Sequence, residues 1–381
     1  MCAEPRIDAE ERLLIITRVE AIPYRIPMRK PLHFASGDVH HIEHVLVRLT
    51  TDEGTVGVAD IPPRPYTYGE TPQSVHALLT GTFAQVLIGA DPFDRSAIHA
   101  ALGRTVGNYA TKGGVDIALW DIIGNALSSS VHRLLGGYTD RLRVSHMVGF
   151  ASGAEMLAEA QQYRDLLGIT TFKIKVGRRP LDLDIDACRI LRDGLGDGVD
   201  LYLDANRGWS AEEARRVLDA TADLGFTYFE EPCDAADVMG RRRLASMSRI
   251  PIVADESAPS LGDAARELLT GGATALSIKT ARTGFTESQR ILGLADGLGV
   301  DVLMGNQIDS QLGSTATVVF GAAFASTSRR AAELSNFLDM EDDLIAEPLR
   351  IVDGEIRVPV TPGAGAAVDA EKLARYRVDG L

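Results

Sequence analysis

The 381-residue sequence predicts an α/β fold, a closed parallel barrel behind an α+β module. Short β-branched runs recur from about residue 140 onward: near 144 (RVSHMVGF), 171 (TFKIKVG), 200 (DLYLDAN), 226 (FTYFEEP), 250 (IPIVADE), 274 (TALSIKT) and 300 (VDVLMGN). Successive starts are 27, 29, 26, 24, 24 and 26 residues apart, room for one strand and one returning helix each. The stretches between them read as helices. EEARRVLDATADLG is entered by Ser210 with Glu213 three residues on, a capping box, and Gly168 and Gly225 are helix stops. So many strand–helix units favour barrel closure, with an open doubly wound sheet as the alternative.

Residues 1–135 lack this rhythm. LLIITRVEAIPYRIPM and EHVLVRLTTDEGTVGVAD read as antiparallel strands, the second turning at Asp52-Glu53-Gly54. TPQSVHALLTGTFAQVLIG and VDIALWDIIGNALSS follow as helices. The expected domains are therefore 1–135 (α+β), 136–335 (barrel) and 336–381, a tail whose DGEIRVPVTPGAG returns to the first module. Composition is that of a soluble globular protein, 45% hydrophobic and 24% charged, with no run long enough to span a membrane. MCAEPRIDAEERLL is charged where a signal peptide is apolar, so a cytoplasmic location is expected. Cys2, Cys188 and Cys233, odd in number and far apart, fit reduced thiols. A net charge of −14 opposes nucleic-acid binding, so positive charge for an anionic ligand must be gathered locally.

TFKIKVG carries the chemical signal. Alternation along a strand puts Lys173 and Lys175 on one side, where two ammonium groups repel and need an offset. The barrel strands supply it at their C-terminal ends, where catalytic groups of barrels sit: Asp204 in YLDAN, Glu230 in YFEEP and Asp255 in VADES, with Lys279 following in LSIKT. Each motif alone is weak, since DxN is commonly a turn and Glu-Glu-Pro a solvated loop. In register on neighbouring strands, three acids around one point suit a hard divalent cation, Mg²⁺ or Mn²⁺. No Cys/His cluster competes, and His40, His41 and His44 read as solvated. Lys175 and Lys279 then flank a ligand from opposite sides. A lysine crowded by Lys173 and a cation has its neutral form favoured and can act as a base. The bland reading is that Lys173 and Lys175 merely neutralise the carboxylates. A glycosidase pair of Glu230 and Glu231 is disfavoured, because adjacent strand residues face opposite ways.

With K-x-K, D-x-N, E-x-P, D-E-S and the later lysine spaced by 29, 26, 25 and 24 residues, the chain resembles the enolase superfamily, in its muconate lactonizing branch. That resemblance implies a (β/α)7β modified TIM barrel capped by an α+β domain built from both chain ends. It implies Asp204, Glu230 and Asp255 as metal ligands, and Lys175 and Lys279 as acid/base groups on opposite faces of a carboxylate substrate, with Lys173 tuning Lys175. Asn206 then supports the site, Glu333 in AAELSNF hydrogen-bonds the reacting carboxylate, and Asp309 in GNQIDS orients neighbours. KPLHFASGDVHH and IPPRPYTYGE match the loops closing over the ligand, making His33, Phe34, Arg64 and Tyr66 specificity candidates. The implied chemistry moves a proton at the carbon next to a carboxylate through an enediolate.

Within the superfamily, LMGNQID has no histidine of the mandelate racemase type, and Glu333-Leu334-Ser335 stands where dipeptide epimerases carry Asp-x-Asp. HFASGDVHHIEHVLVR, GGYTDRLRVSH, IKTARTGF and ELSNFLDM look most like actinobacterial members of the lactonizing branch, which implies a cis,cis-muconate substrate and a homo-oligomer such as an octamer. o-Succinylbenzoate synthase, N-acylamino acid racemase, another epimerase or a dehydratase is the alternative, and an inactive binding barrel the non-enzymatic one. Two flanking lysines leave the stereochemistry open: a proton from Lys279 makes addition anti, one from Lys175 makes it syn.

Overall fold

The computed structural model describes residues 14–34 and 37–379, without the side chains of 32–37. Strands β1 (Ile16–Phe34), β2 (Gly37–Thr51) and β3 (Val56–Ile61) form an antiparallel sheet, in which Ala21 opposes Val47 and Val45 opposes Ile61. Gly54, at φ +79°, makes the turn between β2 and β3 that its sequence predicts. One face packs on the helix Tyr109–Ala126, most of whose residues are buried. Gly57 allows that approach, because a Cβ there would lie 2.1 Å from the Ala118 carbonyl. On the other face Ile22, Tyr24, Ile26, Met28 and Leu46 share a core with Met340, Leu344, Ile345 and Leu373.

Eight parallel strands follow: β4 (Arg141–Val148), β5 (Thr171–Lys175), β6 (Asp200–Asp204), β7 (Phe229–Glu230), β8 (Ile252–Ala254), β9 (Ala275–Ile278), β10 (Asp301–Met304) and β11 (Ala332–Glu333). They pair in order from β4 to β10, and β11 returns to β4 through Ala332–Val144 and Glu333–Ser145. Asn306 Nδ2, just after β10, donates to Glu333 O on β11 at 3.3 Å. Helices between successive strands complete a (β/α)7β barrel. Ser152 with Glu155 and Ser210 with Glu213 form capping boxes, and Gly168 ends its helix in the left-handed region. Strand residues facing the helices join the main core, whereas Tyr202, Tyr228, Val253, Ala275 and Leu303 form a separate cluster. Lys173 stands 5.7 Å from the Tyr202 ring of that cluster.

Two expectations change. The helix Ala211–Ala220 stops at Thr221, and Gly225 (φ +64°) instead turns the chain toward β7. The DGEIR stretch joins the barrel rather than the first sheet. It forms the hairpin β12 (Ile351–Val352) and β13 (Glu355–Arg357), with β13 antiparallel to Arg141–Arg143 of β4. β11 is only two residues long and pairs Val144 and Ser145, leaving the start of β4 with free backbone groups that β13 takes. Cys188 and Cys233 are free and buried, while Cys2 lies outside the described residues. No helix among the described residues is long and apolar enough to cross a membrane.

Two buried carboxyls fasten the tail. Asp121 accepts from Val58 N (2.9 Å) and Ala364 N (2.7 Å), and Asp343 accepts from Gln311 N (2.6 Å). Burial pushes each up to about 6 despite these donors. Both pKa values are raised on folding, so the folded chain holds protons that the unfolded chain releases above its ordinary carboxyl range. Their stabilising contribution is full below that range and is lost as pH rises through about 6. The urea midpoint is therefore expected to fall between about pH 4 and pH 7, and less steeply in Asp121→Asn. An unchanged slope in that variant would clear Asp121 of the effect.

Candidate active site

The strand ends bring the predicted groups together. Alternation on β5 turns Lys173 and Lys175 away from Ile174 and toward the acids at the ends of β6 and β7, with Asp255 just beyond β8 and Lys279 just beyond β9. All seven of Lys173, Lys175, Asp204, Glu230, Asp255, Lys279 and Glu333 are buried. Lys173 Nζ lies 3.0 Å from Glu230, 3.2 Å from Asp204 and 2.7 Å from Glu333. Lys175 Nζ donates to Asp204 Oδ2 (2.6 Å) and Asn206 Oδ1 (2.5 Å), and Lys279 Nζ to Asp255 Oδ2 (2.6 Å). The two neighbouring ammonium groups thus share one carboxylate.

Burial works against every charge here, and neighbours decide the outcome. Against it, Glu230, Glu333 and Asp204 hold Lys173 well above the ordinary lysine range, and Asp255 does the same for Lys279. Lys279 and Arg282 overcome burial at Asp255 and hold it well below the usual carboxylate range, as Lys175 and Lys173 lower Asp204. Glu230 goes the other way: burial raises it, Lys173 falls short, and Asp204 and Asp255 push it further up. Lys173, Lys175, Lys279 and Arg282 supply the countercharge to these acids, and no three acid, imidazole or thiol groups among the described residues meet closely enough to cage an ion by themselves.

A cavity of about 60 Å³ opens above this cluster, lined by Lys175, Lys279, Glu333, Asn206, Arg64 and residues from the turn after β10. Glu256 Oε2, both amide atoms of Gln307 and Asn336 Oδ1 have no hydrogen-bond partner among the described residues, so its walls suit a polar ligand. Asn206 anchors the mouth: its amide nitrogen donates to Glu256 (2.9 Å) and its backbone N to Asp204 (2.9 Å). Asp309 does not line the cavity. Its backbone N donates to Asn306 Oδ1 (2.8 Å) and it accepts from Gln307 N (3.2 Å), bracing the turn, while burial and then Asp60 raise it to about 7.

The loop candidates divide. Arg64 lines the cavity, but Tyr66 is 78% exposed on a neighbouring groove, and Tyr68 takes the inner place. The turn closing 64–69, in which Tyr68 N donates to Arg64 O (2.7 Å), leaves Pro65 and Tyr66 exposed and brings Thr67 and Tyr68 to the cavity. Tyr66→Ala is expected to keep kcat/KM within about twofold of the parent, as for a surface substitution, and a larger loss would return Tyr66 to the site. The side chains of His33 and Phe34 lie outside the described residues. His44 departs from its solvated reading. It is buried, with Nδ1 3.0 Å from Asp60, which also accepts from Tyr24 (2.7 Å) and Ser310 (2.7 Å). β2 alternation puts His44 on the face of Ile42 and Leu46, whereas His40 and His41 are exposed. Glu231 turns away from the cavity to accept from Arg241 (2.7 Å) and Asp255 N (2.7 Å), which removes the paired-glutamate reading.

Sequence reasoning missed Glu256, Tyr68 and Arg282. Glu256 stood beside Asp255 and is pushed up to about 7 by burial and by Asp255. Arg282, in IKTARTGF, donates to Asp255 Oδ1 (2.7 Å). Its place three residues after Lys279 was the available clue.

The family model described as mandelate racemase / muconate lactonizing enzyme, N-terminal domain, matches residues 16–136, and the one described as enolase C-terminal domain-like matches 155–372. The chain belongs to the enolase superfamily. A solved muconate lactonizing enzyme from Mucobacterium Smegmatis, complexed with muconolactone, is 54% identical, with TM-score 0.94 over 96% of this chain and 100% of that one. An L-Ala-D/L-Glu epimerase of Bacillus subtilis (strain 168) is 30% identical over 354 residues, 92% of this chain and 96% of the relative. Muconate cycloisomerase 1 of Pseudomonas putida is 29% identical over 373 residues, 95% and 98% of the two chains. Superfamily relatives of this kind are metal-dependent isomerases, and the chain is an enzyme of that class.

Proposed function

We propose that the chain is a muconate cycloisomerase, interconverting cis,cis-muconate and muconolactone. The observation that carries this reading is the 54% identity, across 96% of the chain, to an enzyme solved with muconolactone. Asp204, Glu230 and Asp255 are the residues to hold Mg²⁺ or Mn²⁺. Their all-oxygen donor set and their burial at successive strand ends suit such an ion. Bound there, it supplies fixed positive charge beside a substrate carboxylate.

The chain's own groups do the rest. Arg64 at the cavity wall suits the second carboxylate, and a buried polar cavity excludes bulk water from the developing charge. Lys175 and Lys279 both line the cavity, so either can hold the proton that the α-carbon receives. Glu333, beside Lys173, also lines the cavity at the place of the reacting carboxylate. In this reading 136–335 is the catalytic barrel, capped by 1–135 and by the tail 336–381 apart from its hairpin 351–357, which joins the barrel sheet, and the enzyme works as a cytoplasmic homo-oligomer such as an octamer.

The epimerase relative at 30% identity supports a second reading, α-proton exchange on a dipeptide or N-acylamino acid. Loss of muconate absorbance with added Mg²⁺ or Mn²⁺, abolished by EDTA, tests the first. L-Ala-L-Glu, N-succinylamino acids and the o-succinylbenzoate precursor, run in parallel in D₂O, test the second. Deuterium exchange on one of these without muconate turnover would overturn the cycloisomerase assignment.

A further inference from the structure

Two arginines stand three residues beyond site groups: Arg207 after Asp204, and Arg282 after Lys279. Both reach the loop 64–69 that follows β3. Arg207 Nη2 donates to the Tyr66 carbonyl (3.3 Å). Arg282 holds more. It is among the largest fully buried side chains and does not line the cavity. Its Nη1 donates both to the Tyr68 hydroxyl and to Asp255 Oδ1 (2.7 Å), and its Nη2 donates to Ser277 O on β9 (2.9 Å). The guanidinium carbon lies 5.6 Å from the centroid of the Tyr68 ring, and Tyr68 walls the cavity beside Arg64 and Thr67.

A guanidinium is a rigid plane with donors in fixed directions, so its partners cannot move independently. Displacing the phenol rotates the plane that also seats Asp255, and the bond to Ser277 O anchors the plane to the barrel wall. A lysine at this place, a compact charge on a flexible stem, would not hold the phenol, Asp255 and the Ser277 carbonyl in one fixed plane. We propose that Arg282 is a positioning residue coupling the Tyr68 loop to Asp255, so that seating the loop over a carboxylate ligand and orienting this acid toward the metal are one event. The inference rests on Asp255 as a metal ligand, not on muconate as the substrate.

The test measures Mn²⁺ affinity by electron paramagnetic resonance and kcat/KM with Mn²⁺-loaded enzyme, for the parent, Tyr68→Phe, Arg282→Lys and the double variant. Circular dichroism checks folding. Arg282→Lys is expected to weaken Mn²⁺ binding by about 10–100-fold, the usual effect of removing a ligand's support. Tyr68→Phe alone should leave Mn²⁺ affinity within about twofold and lower kcat/KM by about tenfold, the size of one hydrogen bond to a charged group. In the double variant the Tyr68→Phe penalty should vanish, because the link is already cut. Multiplying penalties, or parental Mn²⁺ affinity in Arg282→Lys, overturns the proposal. If Arg282→Lys does not fold, Tyr68→Phe decides, and a parental kcat/KM overturns it. If the parent ignores muconate, the substrate reading fails, and the Mn²⁺ affinity of Arg282→Lys alone judges the coupling.

Discussion

Lys175→Ala is expected to lower kcat for muconate by about 10²–10⁴-fold, the range for losing a positioned acid or base, while Mn²⁺ still binds. Lys175 lines the cavity and donates to Asp204 and Asn206. Without it, Asp204 keeps Lys173 at 3.2 Å and the backbone N of Asn206 at 2.9 Å, so the acid stays in place while the amine is gone. Steady-state kinetics beside Mn²⁺ titration separates the two, and full activity would remove Lys175 from the mechanism. Lys279→Ala should be comparably impaired. Which lysine delivers the proton is read from the product formed in D₂O: anti addition assigns delivery to Lys279, and syn muconolactone rejects that assignment.

Asp255→Ala is expected to destabilise the fold by about 3–5 kcal/mol, as when one partner of a buried ion pair is removed. Lys279 and Arg282 both donate to this carboxylate, and all three groups are buried. The sign of its pH dependence follows. In the parent the pKa of Lys279 is raised on folding, so its contribution is present throughout the neutral range and is lost only above the ordinary lysine range. In the variant burial is unopposed by that acid and favours the neutral amine, so the deficit should shrink as pH rises toward about 9.5. Urea midpoints at pH 7 and 9.5 measure it. A parental midpoint at pH 7 would mean that the two cations find other partners.

Much of the site was legible because barrel strands are short and regular. Lys175, Asp204 and Glu230 are direct ladder partners on successive strands, and Asp255 follows two residues beyond Val253, the partner of Glu230, so linear spacing became spatial neighbourhood. Groups supplied by loops were not legible in this way. Tyr66 and Tyr68 are chemically alike and two residues apart, yet one is 78% exposed and the other walls the cavity. The turn around the Arg64 carbonyl decides between them, and no periodicity encodes it. His44 was misread for a related reason. A cluster of three histidines looks solvated until alternation puts one of them on the covered face of its sheet, beside Asp60 of the neighbouring strand, itself tied to Ser310 across the molecule.

By itself, the amino-acid order determined the α/β class, the repeating strand–helix unit and the acids and lysines at the strand tips, because side-chain period and strand length are local properties. Tertiary structure alone decided that Lys173 is shared by three carboxylates, that β13 completes β4, and that Arg282 joins Tyr68 to Asp255. Those contacts link residues far apart in the chain, and their energies depend on burial and geometry that exist only once the barrel has formed.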